Sequence, residues 1–181
     1  MTGHRTRWTA LLIGVAVAAL GVIFALQVDS DPSATKNQSR LVGTRVPELD
    51  LPNLAGGRIQ LADFVGKTVV INFWNTWCVP CRQEHEALVA FHAQHRGAGD
   101  VVLVGIVRDD TESAVRSYVR DNNVGWLVAL DPGDRASVAF ATRGQPETYV
   151  VGPDGVIVAV RFGPSTTREL NELVARAAGR L

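Results

Sequence analysis

The chain has no excess charge of either sign and very little cysteine. Its 18 basic and 18 acidic side chains cancel to a formal net charge of zero, so the overall charge gives no support for nucleic-acid binding. Two cysteines among 181 residues are too few for a zinc site built from two cysteine pairs. No internal repeat or low-complexity tract is present, and 46% hydrophobic residues supply enough apolar material for one folded domain with an appendage.

One long run without charge occupies the amino terminus. Residues 8–28, WTALLIGVAVAALGVIFALQV, are 21 uncharged positions, long enough as a helix to cross a hydrocarbon core of about 30 Å. Two arginines precede the run and two aspartates follow it, so the positive-inside rule places the amino terminus in the cytoplasm. The sequence therefore predicts a cytoplasmic tail in residues 1–7, a single transmembrane helix in residues 8–28 and an extracytoplasmic remainder anchored to the cell membrane.

A cleaved signal peptide is the alternative reading of this run. Its apolar region would be shorter, about 7–15 residues, with a small-x-small cleavage site that Ala25-Leu26-Gln27 fits poorly. A lipoprotein would need a cysteine directly after the run, but Cys78 comes fifty residues after Val28. Residues 29–43 are polar and contain a proline, which predicts a flexible linker before a folded domain in residues 44–181.

The folded domain alternates between strand-like and helix-like patterns. Alternating leucine and isoleucine around Gly56-Gly57 predicts a hairpin, followed by a buried strand in residues 67–75 and a helix that starts near Pro80. The later predicted elements are a strand at 101–107, a helix at 111–122, a strand at 127–130, a short helix at 135–140, a hairpin of strands 148–151 and 156–160, and a helix at 166–178. This order predicts an α/β fold with a mixed central sheet and helices on both faces.

The two cysteines stand in the sequence Trp77-Cys78-Val79-Pro80-Cys81, where the predicted central strand passes into a helix. A helix amino terminus has unpaired N–H groups and a positive dipole end, which lower the pKa of a thiol placed there. Cys78 is therefore the expected attacking thiolate, and Cys81 the thiol that resolves a mixed disulfide with a client. A structural disulfide is the alternative, but one that closes so small a loop removes little entropy from the unfolded chain.

A metal site is the second alternative for the cysteines. His85 follows Cys81 by four residues and could reach it on the helix surface, but a closed site would need His92 or the distant Glu147 as well. A metallochaperone is therefore the least favoured function, and the two histidines are expected on a solvated helix surface. The expected chemistry uses the two thiols alone, without cofactor or metal.

The segment FWNTWCVPCRQEH resembles the active site of thioredoxin-like proteins. It is most similar to that of the membrane-anchored thioredoxins of cytochrome c maturation, the TlpA/ResA and CcmG/DsbE group. A second segment, GQPETY at residues 144–149, resembles the family's G-x-P-E-T-F segment. The resemblance covers residues 44–181, matches the family's anchor and linker, and implies a thioredoxin-like fold with an N-terminal hairpin extension.

Carried over by position, the resemblance implies roles for further residues. Pro146 would be the family's cis-proline, and the Gln145-Pro146 bond would present backbone groups to a client. Glu84 matches an acidic residue that lines the family's groove, and Glu147 a second one beside the proline. Either carboxylate could accept the proton of Cys81 or disfavour the attacking thiolate, although spacing alone places Glu84 on a solvated helix face.

The sequence departs from the wider family at two positions. Ordinary thioredoxins have a buried aspartate six residues before the first cysteine, where this chain has Asn72. The usual buried proton acceptor is therefore absent, in agreement with the cytochrome-maturation branch. Val79 stands where some relatives have glutamate, which removes a charge that would tune the pair. Together with Trp77 and Gln145, Val79 is expected to contact the client and select it.

These features predict an extracytoplasmic dithiol reductant for the haem-binding cysteines of apocytochrome c, or for a relay protein that serves them. A transmembrane thiol electron donor would regenerate it. A disulfide-forming oxidase or a general extracytoplasmic thioredoxin is the alternative, because the direction of electron flow depends on potential and partners. Peroxiredoxin-like peroxidases share the fold but have a P-x-x-x-T-x-x-C pattern before the reactive cysteine. Here Ile71 stands at the proline position and Asn75 at the threonine position, so the chain does not match that pattern.

Overall fold

The structure is a computed structural model that describes residues 13–20, 22 and 39–179. The chain divides into two units, Met1–Lys36 and Asn37–Leu181, and the second unit contains both β-sheets. Residues 13–20 are helical and exposed, but the rest of the predicted anchor, the predicted tail and most of the predicted linker lie outside the described residues. Within the described part of the chain, no helix has both the length and the apolar character needed to cross a membrane.

The predicted elements of the folded domain are present, with small differences at their ends. They are β1 (Asp50–Pro52), β2 (Arg58–Gln60), β3 (Thr68–Trp74), α1 (Val79–His95), β4 (Val101–Val107), α2 (Glu112–Asp121), β5 (Leu127–Leu130), α3 (Arg135–Ala139), β6 (Glu147–Val151), β7 (Ile157–Phe162) and α4 (Thr167–Ala178). A 3₁₀ turn at Leu61–Phe64, between β2 and β3, was not predicted. Thr111 caps α2 through the Ala114 N–H, as its position before the helix predicts. The predicted order of elements is therefore confirmed.

Five strands form the central sheet in the order β5-β4-β3-β6-β7. Strand β3 lies in the middle, parallel to β4 and antiparallel to β6, so the predicted mixed sheet is confirmed. All seven residues of β3 are buried, because α1 and α4 cover one face and α3 with the hairpin covers the other. A strand buried on both faces has a continuous apolar sequence, which is why β3 was recognisable.

The amino-terminal part of the domain contacts both outer strands of the sheet. The β1-β2 hairpin pairs Leu51 with Ile59 and reaches the outer edge of β5, where the Leu54 N–H donates to the Val128 carbonyl over 2.8 Å. At the opposite edge, the Gly43 N–H donates to the Ile157 carbonyl over 2.8 Å. The backbone groups that are paired in this way are not free to pair with another chain.

Candidate redox site

The two cysteines lie at the start of α1, directly after the central strand. Cys78 is the N-cap of the helix, and the Cys81 N–H donates to Cys78 Sγ over 3.1 Å. Pro80 occupies the first turn, where the missing N–H of proline costs nothing. A backbone N–H and the positive end of the helix dipole therefore act directly on the Cys78 sulfur, which favours a thiolate once the pair is reduced.

Cys78 and Cys81 form a disulfide with a Cα–Cα distance of 5.2 Å. Both residues are only 5% exposed. Their sulfurs belong to an apolar cluster with Trp74 from β3, Val107 from β4 and Val115 from α2. The predicted redox pair is thus bonded in the oxidised form and is packed on three elements.

The loop before β6 brings Pro146 against the pair. The Gln145-Pro146 peptide bond is cis, as the family resemblance implied, and the Gln145 carbonyl oxygen lies 3.7 Å from Cys78 Sγ. The Pro146 carbonyl oxygen accepts a hydrogen bond from the Gly163 N–H over 2.9 Å. The fold therefore brings Gln145 and Pro146 into the site, although Gln145 is 67 positions from Cys78 in the chain.

Two exposed apolar side chains flank Cys78 in the chain. Trp77 and Val79 are each 55% exposed, which is unusual for large apolar residues beside a buried pair. The Trp77 indole N–H donates to the Asp109 carbonyl over 2.9 Å, so the exposed ring is held in one orientation. The three residues expected to contact a client, Trp77, Val79 and Gln145, therefore lie next to Cys78.

Glu84 lies on the buried face of α1 and is 1% exposed. The Asn72 amide donates to Glu84 Oε1 over 2.6 Å and the Ser165 N–H donates to Oε2 over 2.8 Å. Burial raises the pKa of the Glu84 carboxyl to about 7, although the two hydrogen bonds and Arg161 act in the opposite direction. The expectation of a solvated helix face is wrong, because Glu84 follows Cys81 by three residues and shares its buried side of the helix.

Asn72 supplies the partner that makes this burial possible. It is 1% exposed and donates to Thr148 Oγ1 over 3.0 Å as well as to Glu84. The sequence showed only that Asn72 replaces the aspartate of ordinary thioredoxins. In the structure a buried carboxyl group is nevertheless present behind the pair, and it comes from the helix instead of the strand.

Glu147 lies on the opposite face of the sheet from Glu84. It is 2% exposed, accepts a hydrogen bond from the Tyr149 hydroxyl, and accepts a second one from the Arg143 N–H over 3.0 Å. Burial and the adjacent Glu147 carboxylate raise the pKa of the Tyr149 hydroxyl, which stays protonated as a donor. These contacts tie the loop before Pro146 to β6. Glu84 and Glu147 therefore have separate partners and do not form a pair of adjacent carboxyl groups.

The histidines of α1 pack against aromatic rings. His85 Nε2 lies 2.6 Å from the Asn122 carbonyl oxygen, and the ring contacts Tyr118 and Trp126. His92 also contacts Trp126, and burial lowers its pKa. The expectation of a solvated histidine surface is therefore wrong. No group of three or more metal-binding side chains is arranged to hold an ion among the described residues.

Sequence reasoning missed three contributors from the β7-α4 region. The Gly163 N–H donates to the Pro146 carbonyl, and the Ser165 N–H donates to the Glu84 carboxyl group. Arg161 donates to the carbonyl of Pro164, which lies between Gly163 and Ser165. A backbone donor leaves no trace in the side-chain sequence, so no local signal identifies Gly163 or Ser165. For Asn72 a signal existed, since it is the one polar residue inside the apolar run of β3.

Comparison with known proteins agrees with this geometry. The family model described as AhpC/TSA matches residues 42–160. The thiol:disulfide interchange protein DsbE of Allochromatium vinosum is 31% identical over 174 residues, covering 92% of this chain and 91% of the relative. The thiol-disulfide oxidoreductase ResA of Bacillus thuringiensis subsp. konkukian is 28% identical over 142 residues, covering 78% and 82% of the two chains.

A solved structure gives the same result for the fold. The secreted thiol-disulfide isomerase from Corynebacterium glutamicum superposes with a TM-score of 0.66 at 25% identity, over 71% of this chain and 82% of that one. The region that the family model matches, residues 42–160, contains the cysteine pair, the proline loop and the strands between them. The chain therefore belongs to the AhpC/TSA family, and within this thioredoxin-like fold it is a thiol-disulfide oxidoreductase of the ResA and DsbE type.

Proposed function

We propose that the protein is a membrane-anchored reductant that keeps the haem-binding cysteines of apocytochrome c, or of a relay protein serving them, reduced outside the cytoplasm. The observation that carries the proposal is the placement of Cys78 at a helix amino terminus with the buried Glu84 carboxyl behind Cys81. The similarity to proteins named ResA and DsbE supports the same class of reaction.

The reaction begins with the reduced protein and a client disulfide. The Cys78 thiolate attacks one client sulfur, which breaks the client disulfide, forms a mixed disulfide and releases the second client sulfur as a thiolate. The Cys81 thiolate then attacks Cys78 Sγ, which releases the first client sulfur and closes the Cys78–Cys81 disulfide. Two electrons pass to the client, and its two thiolates take up two protons.

Glu84 accepts the proton that Cys81 loses during the reaction. Cys81 has to lose its proton before it can attack, and a carboxyl group with a pKa of about 7 can accept it near neutral pH. A transmembrane dithiol donor returns the electrons by the reverse exchange: it becomes a disulfide, and the pair in this protein becomes two thiols again. Trp77, Val79 and Gln145 form the surface that meets the client.

The reduction potential of the full-length protein, measured in defined thiol buffers, tests the direction of electron flow. A potential near or below about −200 mV agrees with a reductant, whereas a value close to about −120 mV belongs to a disulfide-forming oxidase and would refute the proposal.

The client is tested with the Cys81→Ala variant, which cannot resolve its mixed disulfide. It should accumulate a covalent complex with an oxidised apocytochrome peptide that contains C-x-x-C-H, while the Cys78→Ala variant should form none. Equal trapping of a peptide with the same composition but separated cysteines would support the general thioredoxin alternative.

A further inference from the structure

The β7-α4 loop connects two parts of the redox site that lie far apart in the chain. The Gly163 N–H donates to the Pro146 carbonyl oxygen over 2.9 Å. The Ser165 N–H donates to Glu84 Oε2 over 2.8 Å. Two peptide groups of one short loop therefore hold the proline beside the disulfide and the buried carboxyl group behind it.

Arg161 binds the other end of the same two peptide groups. Its Nη1 donates to the Phe162 carbonyl over 2.6 Å, and its Nη2 donates to the Pro164 carbonyl over 3.2 Å. The Phe162 carbonyl and the Gly163 N–H belong to one peptide unit, and the Pro164 carbonyl and the Ser165 N–H to the other. A guanidinium has a rigid fork of donors, so it fixes both peptide planes at once.

The guanidinium is itself held by the next helix. Arg161 Nη2 lies 3.5 Å from Glu169 Oε1, and Glu169 forms the capping box of α4 with Thr166. The Arg161 side chain is half-buried, so part of its charge acts through protein instead of water. These contacts link β7, the loop and α4 into one support for the site.

We propose that Arg161 is a positioning residue of the redox site. It orients two peptide groups of the β7-α4 loop so that their N–H groups hold Glu84 and Pro146. Arg161 touches neither the sulfurs nor the client surface described above. It acts through the Ser165 and Gly163 amides, and its positive charge adds to the effect on the Glu84 carboxylate. The inference rests on the proposed function only in that Glu84 serves the cysteine pair.

The groups that face Glu84 determine the direction of the expected change. From β3 it meets the neutral Asn72, from β6 the neutral Thr148 through Asn72, and from the loop the Ser165 amide. On α1 itself, Cys81 precedes it by three residues on the same buried face. Arg161 is the charged group acting on it in the described part of the chain, and both Arg161 and Ser165 lower its pKa. Removing Arg161 therefore raises that pKa.

The test is a ¹³C NMR titration of the full-length oxidised protein labelled at its glutamate carboxyl groups, with Glu84→Gln used to assign the signal. In Arg161→Gln the Glu84 pKa should rise by about half a unit or more, since a hydrogen bond from an oriented amide and a charge are both weakened. Amide exchange at Gly163 and Ser165 should become faster in the same variant. No client is present, so a protein that reduces no cytochrome peptide can still pass this test.

Two further variants make the outcome decisive. Arg116→Gln removes an exposed arginine paired with Glu112 on α2 and should leave the Glu84 titration unchanged. Arg161→Lys keeps the charge but replaces the rigid two-nitrogen fork with a single flexible ammonium group, so its value should fall between the wild type and Arg161→Gln. An unchanged titration in Arg161→Gln would overturn the proposal. A lysine value equal to the wild type would also overturn it, even if the glutamine variant did not fold, because charge alone would then suffice.

Discussion

Glu84 makes the stability of the oxidised protein depend on pH. The pKa of its carboxyl is about 7 in the folded protein against 4.5 for an ordinary glutamate, so between these values the folded state holds a proton that the unfolded state releases. Stability therefore falls as pH rises through this window and levels off above about pH 7. The shift corresponds to about 3 kcal/mol of unfolding free energy.

We expect Glu84→Gln to remove this dependence, because a neutral amide has no proton to lose. The variant should be more stable than the wild type at pH 8 and nearer to it at pH 5, as measured by urea unfolding of the oxidised protein. Glu172→Gln, an exposed change on α4, serves as the control and should follow the wild type. A Glu84→Gln protein that lost stability between pH 5 and pH 8 as steeply as the wild type would contradict the assignment.

The burial of Glu84 could have been predicted from its spacing. Cys81, Glu84, Leu88 and Phe91 are the buried residues of α1, and their separations of three, four and three place them on one face of a helix. The pattern is easily overlooked because glutamate is rarely buried in proteins. The pairing with Ser165 could not have been predicted, since the two residues are 81 positions apart and their contact depends on how α4 docks.

Strand β4 contains a glycine that makes room for the tryptophan beneath the redox pair. Gly105 is paired with Asn72 across the sheet, and a Cβ placed there would lie 2.6 Å from Trp74 Nε1 and 3.1 Å from Trp126 Nε1. Trp74 shares its apolar cluster with both cysteines. The glycine thus permits the packing of the helix that carries the disulfide.

We expect Gly105→Ala to destabilise the oxidised protein by about 1–3 kcal/mol, the usual cost of overfilling a packed core. Its tryptophan emission should change as well, because the indole of Trp74 has to move. Urea unfolding followed by fluorescence measures both effects. Gly144→Ala serves as the control. A Cβ at Gly144 would have no heavy atom within 4 Å, so this variant should be as stable as the wild type. Equal stability of the two variants would refute the packing argument.

Most elements were predictable because their patterns are local. Apart from Thr68 and Asn72, β3 is apolar because both of its faces are covered, and Thr166 forms a capping box directly before α4. The environment of His85 and His92 was not predictable in this way. Both rings contact Trp126, which the fold brings beside α1 from a distant part of the chain.

At the scale of the whole molecule, the order of strands and helices was sufficient to predict the mixed sheet and the fold class. The membrane anchor in residues 8–28 remains a prediction from sequence. We expect the full-length chain to stay in the membrane pellet after alkaline carbonate extraction and to be accessible to protease added outside the cytoplasmic membrane. Leu20→Arg adds a charge near the middle of the run, at a cost of about 3 kcal/mol for membrane insertion, and should reduce both properties.

Mass spectrometry of the recovered chain distinguishes the anchor from its alternative. An intact amino terminus in the membrane fraction agrees with a retained helix. A soluble product that had lost the uncharged run would show a cleaved signal peptide and refute the anchor.

The contact between Ser165 and Glu84 also bears on how the protein is made. Synthesis proceeds from the amino terminus, so both cysteines leave the ribosome well before the β7-α4 loop, which lies 81 residues beyond Glu84. Until that loop docks, Glu84 has ordinary solvated carboxyl chemistry and Pro146 lacks its partner at Gly163. The nascent chain is therefore a dithiol without its buried carboxyl group, and this part of its redox tuning arises only when the last helix closes the domain.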